Sequence, residues 1–387
     1  MKNKIKSILT ILGLAVVPPL LVWLPFFLRF ETVWGIPLPK DGMQTIAANY
    51  DGPLYIVVAK SFYNLKYIAD SFPFPLPQEY YAAHFPLFPL TIRVLSFLTQ
   101  SFPWAMLLST LLGSIFTIYY FQKFIAKYVS KKDILWISFV FALFPARWLI
   151  VRSVGSPEPL FVGLILASVY HFNKKQFLKA GVFGALAQLT KSVGILLFIA
   201  YLIAIIIPKL KELTITHNAF KWLKSVNFKA YPIMLIPLSL IALFFFYGIK
   251  FDDFLAYFHS GDNIHLFFPP FQIFNYSQPW VNTHWLEEII FIYLISILGI
   301  LKLAKQKNTL ISSFAGVFFF SIIFVSHRDL MRYSLPILPF LYAAFADQIT
   351  SKEFKIIMAV LIIPVYLFTL VFISNNVMPV SDWTPLL

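Results

Sequence analysis

The sequence predicts an all-α, polytopic membrane protein, and three observations carry that reading. Of its 387 residues, 59% are hydrophobic and only 12% charged, which leaves too little polar surface for a water-soluble globule. Apolar runs near the ~20 residues of a bilayer crossing recur from Ile8 to Ile373. The cations also sort by type: all six arginines can be placed on one side of a membrane, and every basic residue on the other side is a lysine.

The expected spans are 7–29, 104–127, 133–149, 158–172, 178–190, 192–208, 230–249, 286–303, 309–325, 334–347 and 355–373, eleven in all. The first follows MKNKIK. Its length, Pro18 and Pro19, and the lack of a small-residue cleavage site favour a retained span over a signal peptide. The segment 86–98 is apolar but short and carries Arg93, so it is expected as an outer juxtamembrane helix. The stretch 178–208 could be one long helix or a tight pair turning at Thr190-Lys191-Ser192. Lysines flank it on both sides (Lys174, Lys175, Lys179 before; Lys209, Lys211, Lys221, Lys224, Lys229 after), and two cytoplasmic loops need an even number of passes between them, so the pair is preferred.

With the N-terminus inside, the cytoplasmic side gathers 20 lysines against four acids (Asp133, Glu212, Asp347, Glu353), and the outer side holds 11 basic and 13 acidic residues. The net charge of +14 is therefore a positive-inside bias and gives no support to a nucleic-acid partner. A single membrane domain, 1–387, follows, with outer loops at about 30–103 and 250–285. Without cysteine there is neither a disulfide nor a thiolate metal site.

No ionisable residue falls near the middle of an expected span, where ion-coupled transporters place theirs. The chemistry gathers at outer helix ends instead. Asp51, in NYDGPLYIVVAKSFYN, reads both as a helix N-cap and as a carboxylate at the membrane surface that can accept a hydroxyl proton. His84, after the aromatics of EYYAAHF, reads as an interfacial anchor. In ARWLIVRSVGSPEPLF, Arg147 snorkels to the headgroups, while Glu158 at a span start calls for an arginine partner. LTKSVG brings Lys191 to the outer surface, and SHRDLMRYSLPILPF adds His327, Arg328, Asp329, Arg332 and Tyr333. His259, Asp262 and His265, at three-residue spacing, read as a polar interfacial helix or a helical metal site. No Asp-x-Asp pair and no dinucleotide fingerprint occurs, which argues against a soluble nucleotide-sugar donor.

Four of these stretches, in order, resemble the GT-C superfamily of membrane glycosyltransferases, specifically the PIG-V-like mannosyltransferase group. NYDGPLYIVVAKSFYN is similar to that group's aspartate motif, and AAHFPLFPLTIRVL to its FFPLYPLLIRLL-type segment. The stretch from SVGSPEPLF to LTKSVGILLF resembles the run from its SE-L-F motif to its LTRPTG-type motif, and RYSLPILPF its RY-LP--P motif. The chain differs at Tyr50 (usually Trp), Gly52 (Ser or Ala), His84 (Phe) and Lys191-Ser192 (Arg-Pro).

The resemblance implies an inverting enzyme that takes a sugar, typically mannose, from a polyprenyl monophosphate on the non-cytoplasmic face. The prokaryotic plasma membrane is the expected location. Asp51 is the expected base, and Arg328, Arg332, Arg152 and Lys191 are expected to hold the donor phosphate. Tyr50, Tyr55, His84, Glu158, His327 and Tyr333 are expected to contact the substrates. No cofactor or divalent metal is expected; the partners are the lipid-linked sugar, a lipid, glycan or protein acceptor, and membrane lipids. A flippase of lipid-linked sugars and a polyprenyl-diphosphate-dependent glycan ligase or polymerase are the competing readings.

Overall fold

In hydrocarbon every backbone N–H and C=O must find its partner within the chain, so apolar runs of this length fold as helices. The computed structural model describes residues 2–216, 228–277 and 283–387 and is mostly helical. Most of the lysine-rich loop expected after Ile207 lies outside the described residues, as does the side chain of Asp262.

Helix α1 (Lys2–Phe27) leads into a segment of short pieces. These are a two-residue hairpin (Thr32–Val33 against Ile36–Pro37), α2 (Met43–Ala47), α3 (Gly52–Ser61), α4 (Leu65–Ser71), a 3-10 turn at Gln78–Ala83, and α5 (Leu87–Thr99). Among the described residues the hairpin is the one sheet, and two isolated bridges, Asn49–Val377 and Leu266–Val325, add to it. Next come α6 (Phe102–Ile125), α7 (Ile134–Leu143), α8 (Ala146–Ser153), α9 (Glu158–Asn173), α10 (Phe177–Gln188) and α11 (Ile195–Thr216). The remainder is α12 (Leu235–Phe251), α13 (Thr283–Lys305), α14 (Thr309–Ile322), α15 (Leu330–Ser334), α16 (Leu338–Ala344), α17 (Ala346–Thr350) and α18 (Lys352–Asn375).

Among the described residues, four helical stretches are long and apolar enough to cross a membrane: Ile5–Phe27, Phe102–Ile125, Lys229–Phe251 and Lys352–Asn375. A fifth crossing is available if α7 and α8 count as one broken span. That pair corrects the expectation of a continuous span at 133–149. Pro145 has no N–H to extend the ladder and clashes with the preceding turn, and the two helices meet at 73°. The run 334–347 is likewise divided, around Pro336 and Pro339, into α15, a 3-10 turn and α16. Helices α10 and α11 are separate and join through residues 189–194.

The packing of α6 on α9 fixes where α9 begins. A Cβ on Gly113 would fall 2.8 Å from the Leu160 nitrogen, and one on Gly163 would fall 2.6 Å from Thr117 Oγ1, so both positions need glycine for the helices to touch. Thr110 Oγ1 donates to the Ser156 carbonyl (3.2 Å) and accepts from the Ser156 N–H (3.1 Å). Thr117 Oγ1 donates to the Pro159 carbonyl. These bonds hold the start of α9 against α6. A second, aromatic-rich cluster is built largely from the segment between α1 and α6, where the Tyr63 hydroxyl donates to the His84 carbonyl (2.5 Å) and the Tyr247 hydroxyl to the Ala82 carbonyl (2.8 Å).

Candidate active site

A cavity of about 780 Å³ opens where the stretches around 50–55, 80–84, 190–192, 327–333 and 372–379 converge. Tyr50 takes a left-handed backbone (φ 50°), a conformation that costs a non-glycine residue about 1–2 kcal/mol, and both it and Asp51 line the cavity. Asp51 occupies the N-cap position of α3, but its side chain makes no capping hydrogen bond. Among the described residues, no hydrogen bond or ion pair engages its carboxylate. The N-cap expectation thus holds for position and fails for bonding.

Glu158 is the opposite case. It opens α9 with its side chain 3% exposed, and Oε1 accepts from Lys191 Nζ at 2.6 Å and from Arg332 Nε at 2.7 Å. Ser156 Oγ donates to Oε2. The arginine partner expected for Glu158 is therefore Arg332. Glu158 does not line the cavity, contrary to its expected place against substrate; from behind, it holds two cations that do. The Arg332 guanidinium also sits over the Tyr50 ring, 4.1 Å from its centroid.

Arg147, expected to snorkel, turns inward. Its Nε lies 3.0 Å from Asp329 Oδ1, its Nη1 donates to the Tyr50 hydroxyl (3.2 Å), and its guanidinium rests 3.7 Å from the centroid of Phe372. Burial pushes the Asp329 carboxyl up against the pull of Arg147. The Asp329 N–H donates to His327 Nδ1 at 2.9 Å, so this nitrogen is an acceptor. A bridge between Leu266 and Val325 brings the His265 and His327 rings to 4.4 Å. Burial, then the neighbouring His265, Arg332 and Arg328, push His327 from the usual 6.5 down to about 3, and it stays neutral at physiological pH. His84 and Tyr55 stack edge to face at 4.8 Å in the cavity wall, and Tyr333 joins them there. Arg328 is exposed, lines the cavity and has no ion-pair partner among the described residues.

Arg152 also departs from its expected place. It is fully buried, away from the cavity, and its guanidinium donates to the carbonyls of Leu14 (2.9 Å), Ala15 (2.8 Å) and Ala142. It ties α8 to α1 and α7 and does not line the cavity, so it is out of reach of a phosphate bound there. Five residues separate it from Arg147, or about 140° around a helix, so the two cannot face the same way. The His259, Asp262 and His265 spacing does not form one helix: a single 3-10 turn, Gly261–Asn263, interrupts it, and His259 pairs with Asp253 at 2.6 Å. Among the described residues, no group of three or more His, Cys, Asp or Glu side chains is placed to hold a metal. Sequence reasoning missed Arg147, Trp285, Asn375 and Asn376 as cavity residues. For the last two the polar break after a long apolar run was an available signal.

No family model matches the sequence, and no curated protein matches it by sequence. Among solved structures, the fold is similar to ArnT from Cupriavidus metallidurans, crystallised bound to undecaprenyl phosphate. The TM-score is 0.56 at 13% identity, over 87% of this chain and 60% of that one. The chain thus spans 60% of the length of the protein it resembles, and what the two share is architecture. This is an integral membrane protein with an ArnT-like polytopic fold.

Proposed function

We propose that the protein is a GT-C-type glycosyltransferase that moves a sugar from a polyprenyl-phosphate donor to an acceptor hydroxyl with inversion at the anomeric carbon. The observation that carries this is the cavity itself, where the unbonded Asp51 carboxylate shares one space with Arg147, Lys191, Arg328 and Arg332. ArnT, a GT-C family glycosyltransferase, supports the reading through the shared fold and its undecaprenyl phosphate. The motif resemblance to the PIG-V-like group makes mannose the proposed sugar, and a lipid, glycan or protein hydroxyl the acceptor.

In this mechanism Asp51 takes the acceptor's proton as its oxygen bonds to the anomeric carbon. The bond from that carbon to the phosphate oxygen breaks, and polyprenyl phosphate leaves with the electron pair. Arg328 is free to meet the phosphate, while Lys191 and Arg332 are already oriented by Glu158, so positive charge is preorganised where negative charge develops. Guanidinium and ammonium groups can do this work without a divalent metal. Arg152 takes no part. The topology that accompanies the proposal has eleven passes, a cytoplasmic N-terminus and the cavity on the outer face of a prokaryotic plasma membrane.

Purified protein with a panel of polyprenyl mono- and diphosphate sugars and native membrane lipids tests the proposal by mass spectrometry. The expected result is a new glycosidic product formed from a monophosphate donor. Movement of lipid-linked sugar across liposomes without any new bond would make the protein a flippase, and turnover of diphosphate donors alone would make it a ligase or polymerase.

A further inference from the structure

A second cavity, of about 620 Å³, lies on the other side of the segment that follows α18. Val377, Met378 and Pro379 line both cavities and form the wall between them. That wall is pinned by the Met378 N–H, which donates to the Ala48 carbonyl at 2.8 Å, and by a bridge between Asn49 and Val377. Ala48 faces the second cavity and Asp51, three residues on, the first. Further along, Lys60 Nζ donates to the main-chain oxygens of Pro385 (2.7 Å) and Leu387 (2.6 Å), which fastens the segment across α3.

The two cavities differ in chemistry. Among the described residues, four side-chain cations of lysine and arginine line the first, and no lysine, arginine or histidine lines the second. Its apolar lining includes the aromatic rings of Phe74 and Trp383 and the pyrrolidine rings of Pro73 and Pro75, beside Val377, Met378 and Val380. Its polar groups are carboxylate, amide and hydroxyl, from Asp41, Gln44, Ser381 and Asp382. Asp382 uses one oxygen to accept from the Thr384 N–H (2.9 Å). Thr45, also in the lining, has a hydroxyl with no hydrogen-bond partner. Phosphate finds no cation here, whereas a neutral saccharide finds a ring platform with hydroxyl partners around it.

We infer that the second cavity is a subsite for a neutral glycan portion of the acceptor, whose reacting hydroxyl extends past residues 377–379 into the first cavity. This rests on the glycosyltransferase reading for the word acceptor; saccharide binding itself does not.

The test uses the full chain in detergent, with methyl glycosides and inorganic phosphate as probes in saturation-transfer NMR. A methyl glycoside is expected to bind with a Kd on the order of millimolar, undisturbed by phosphate, and Trp383→Ala to weaken it roughly tenfold. Because Trp383 also packs on its neighbours, the exposed Gln44→Ala serves as a milder second variant, expected to weaken binding about threefold with unchanged thermal unfolding. Asp51→Asn should bind as wild type does. In the transfer assay, Trp383→Ala and Gln44→Ala should raise the acceptor KM and leave the donor KM unchanged. Glycoside binding by both variants at wild-type strength overturns the subsite, whatever the transfer assay shows. Trp383-dependent binding together with no transfer from any donor would overturn the glycosyltransferase reading and leave a saccharide site.

Discussion

Asp51 precedes α3 and Glu158 begins α9, so both are carboxylates at helix N-termini, where backbone N–H groups favour negative charge. Glu158 is sealed, with Lys191, Arg332 and Ser156 on its oxygens. Asp51 faces the cavity with no such partner among the described residues. A carboxylate held by two cations is a poor proton acceptor and a good organiser; one with none is the reverse. The arginines repeat the contrast, since Arg152 is engaged by three carbonyls and Arg328 has no ion-pair partner among the described residues. The committed charges hold the cavity wall, and Asp51 and Arg328 face the cavity with no ion-pair partner among the described residues.

This division can be broken by substitution. The largest effect is expected from Asp51→Asn, which should lower turnover of a polyprenyl-phosphate sugar by about 10²–10⁴-fold and leave thermal unfolding in place. Glu158→Ala should do the reverse in kind, costing about 3–5 kcal/mol of stability by leaving two cations uncompensated. An unfolding curve for Glu158→Ala that overlays wild type would remove the distinction between the two carboxylates.

The arginine pair sharpens it further. Arg328→Ala should raise the donor KM roughly tenfold, the worth of one charge-assisted hydrogen bond, without shifting Tm. Arg152→Met should lower stability by about 3 kcal/mol, through carbonyls left unpaired, with the donor KM of the folded fraction unchanged.

The smallest effect concerns pH. His327 sits near pKa 3 in the folded protein against 6.5 ordinarily. The unfolded chain therefore binds the extra proton as pH falls below 6.5, and stability declines with acidification. Between pH 6.5 and 5, where carboxylates contribute little, Tm of His327→Gln should fall less steeply than that of wild type. Parallel slopes would mean that His327 is not held in this buried setting in solution.

Much of the site was legible in sequence because its motif segments carry it. Tyr50, Asp51, Tyr55, His84, Lys191, His327, Arg328, Arg332 and Tyr333 were all singled out, and all line one cavity. Arg147 and Arg152 were exchanged in role. Both lie within α8, and which face of it turns inward is decided by the 73° bend at Pro145, which a hydropathy average passes over. The breaks at Pro336 and Pro339 were hidden in the same way. Glu158 was rightly given an arginine, but its withdrawal behind Lys191 and Arg332 depends on how α9 packs on α6, which spacing along the chain does not encode. The wall at 375–379 was missed because it carries none of the charged groups by which the other segments were noticed.

The central claim is that one free carboxylate drives a single displacement. A retaining reaction needs a nucleophile and a separate acid–base. Arg147 already holds the cavity's other carboxylate, Asp329. The most direct measurement is the anomeric configuration of the product, read by NMR from a donor of known configuration. The account predicts inversion relative to the polyprenyl-phosphate sugar. Retention would contradict it, because it would require a second nucleophilic group that the cavity, as built around Asp51, does not provide.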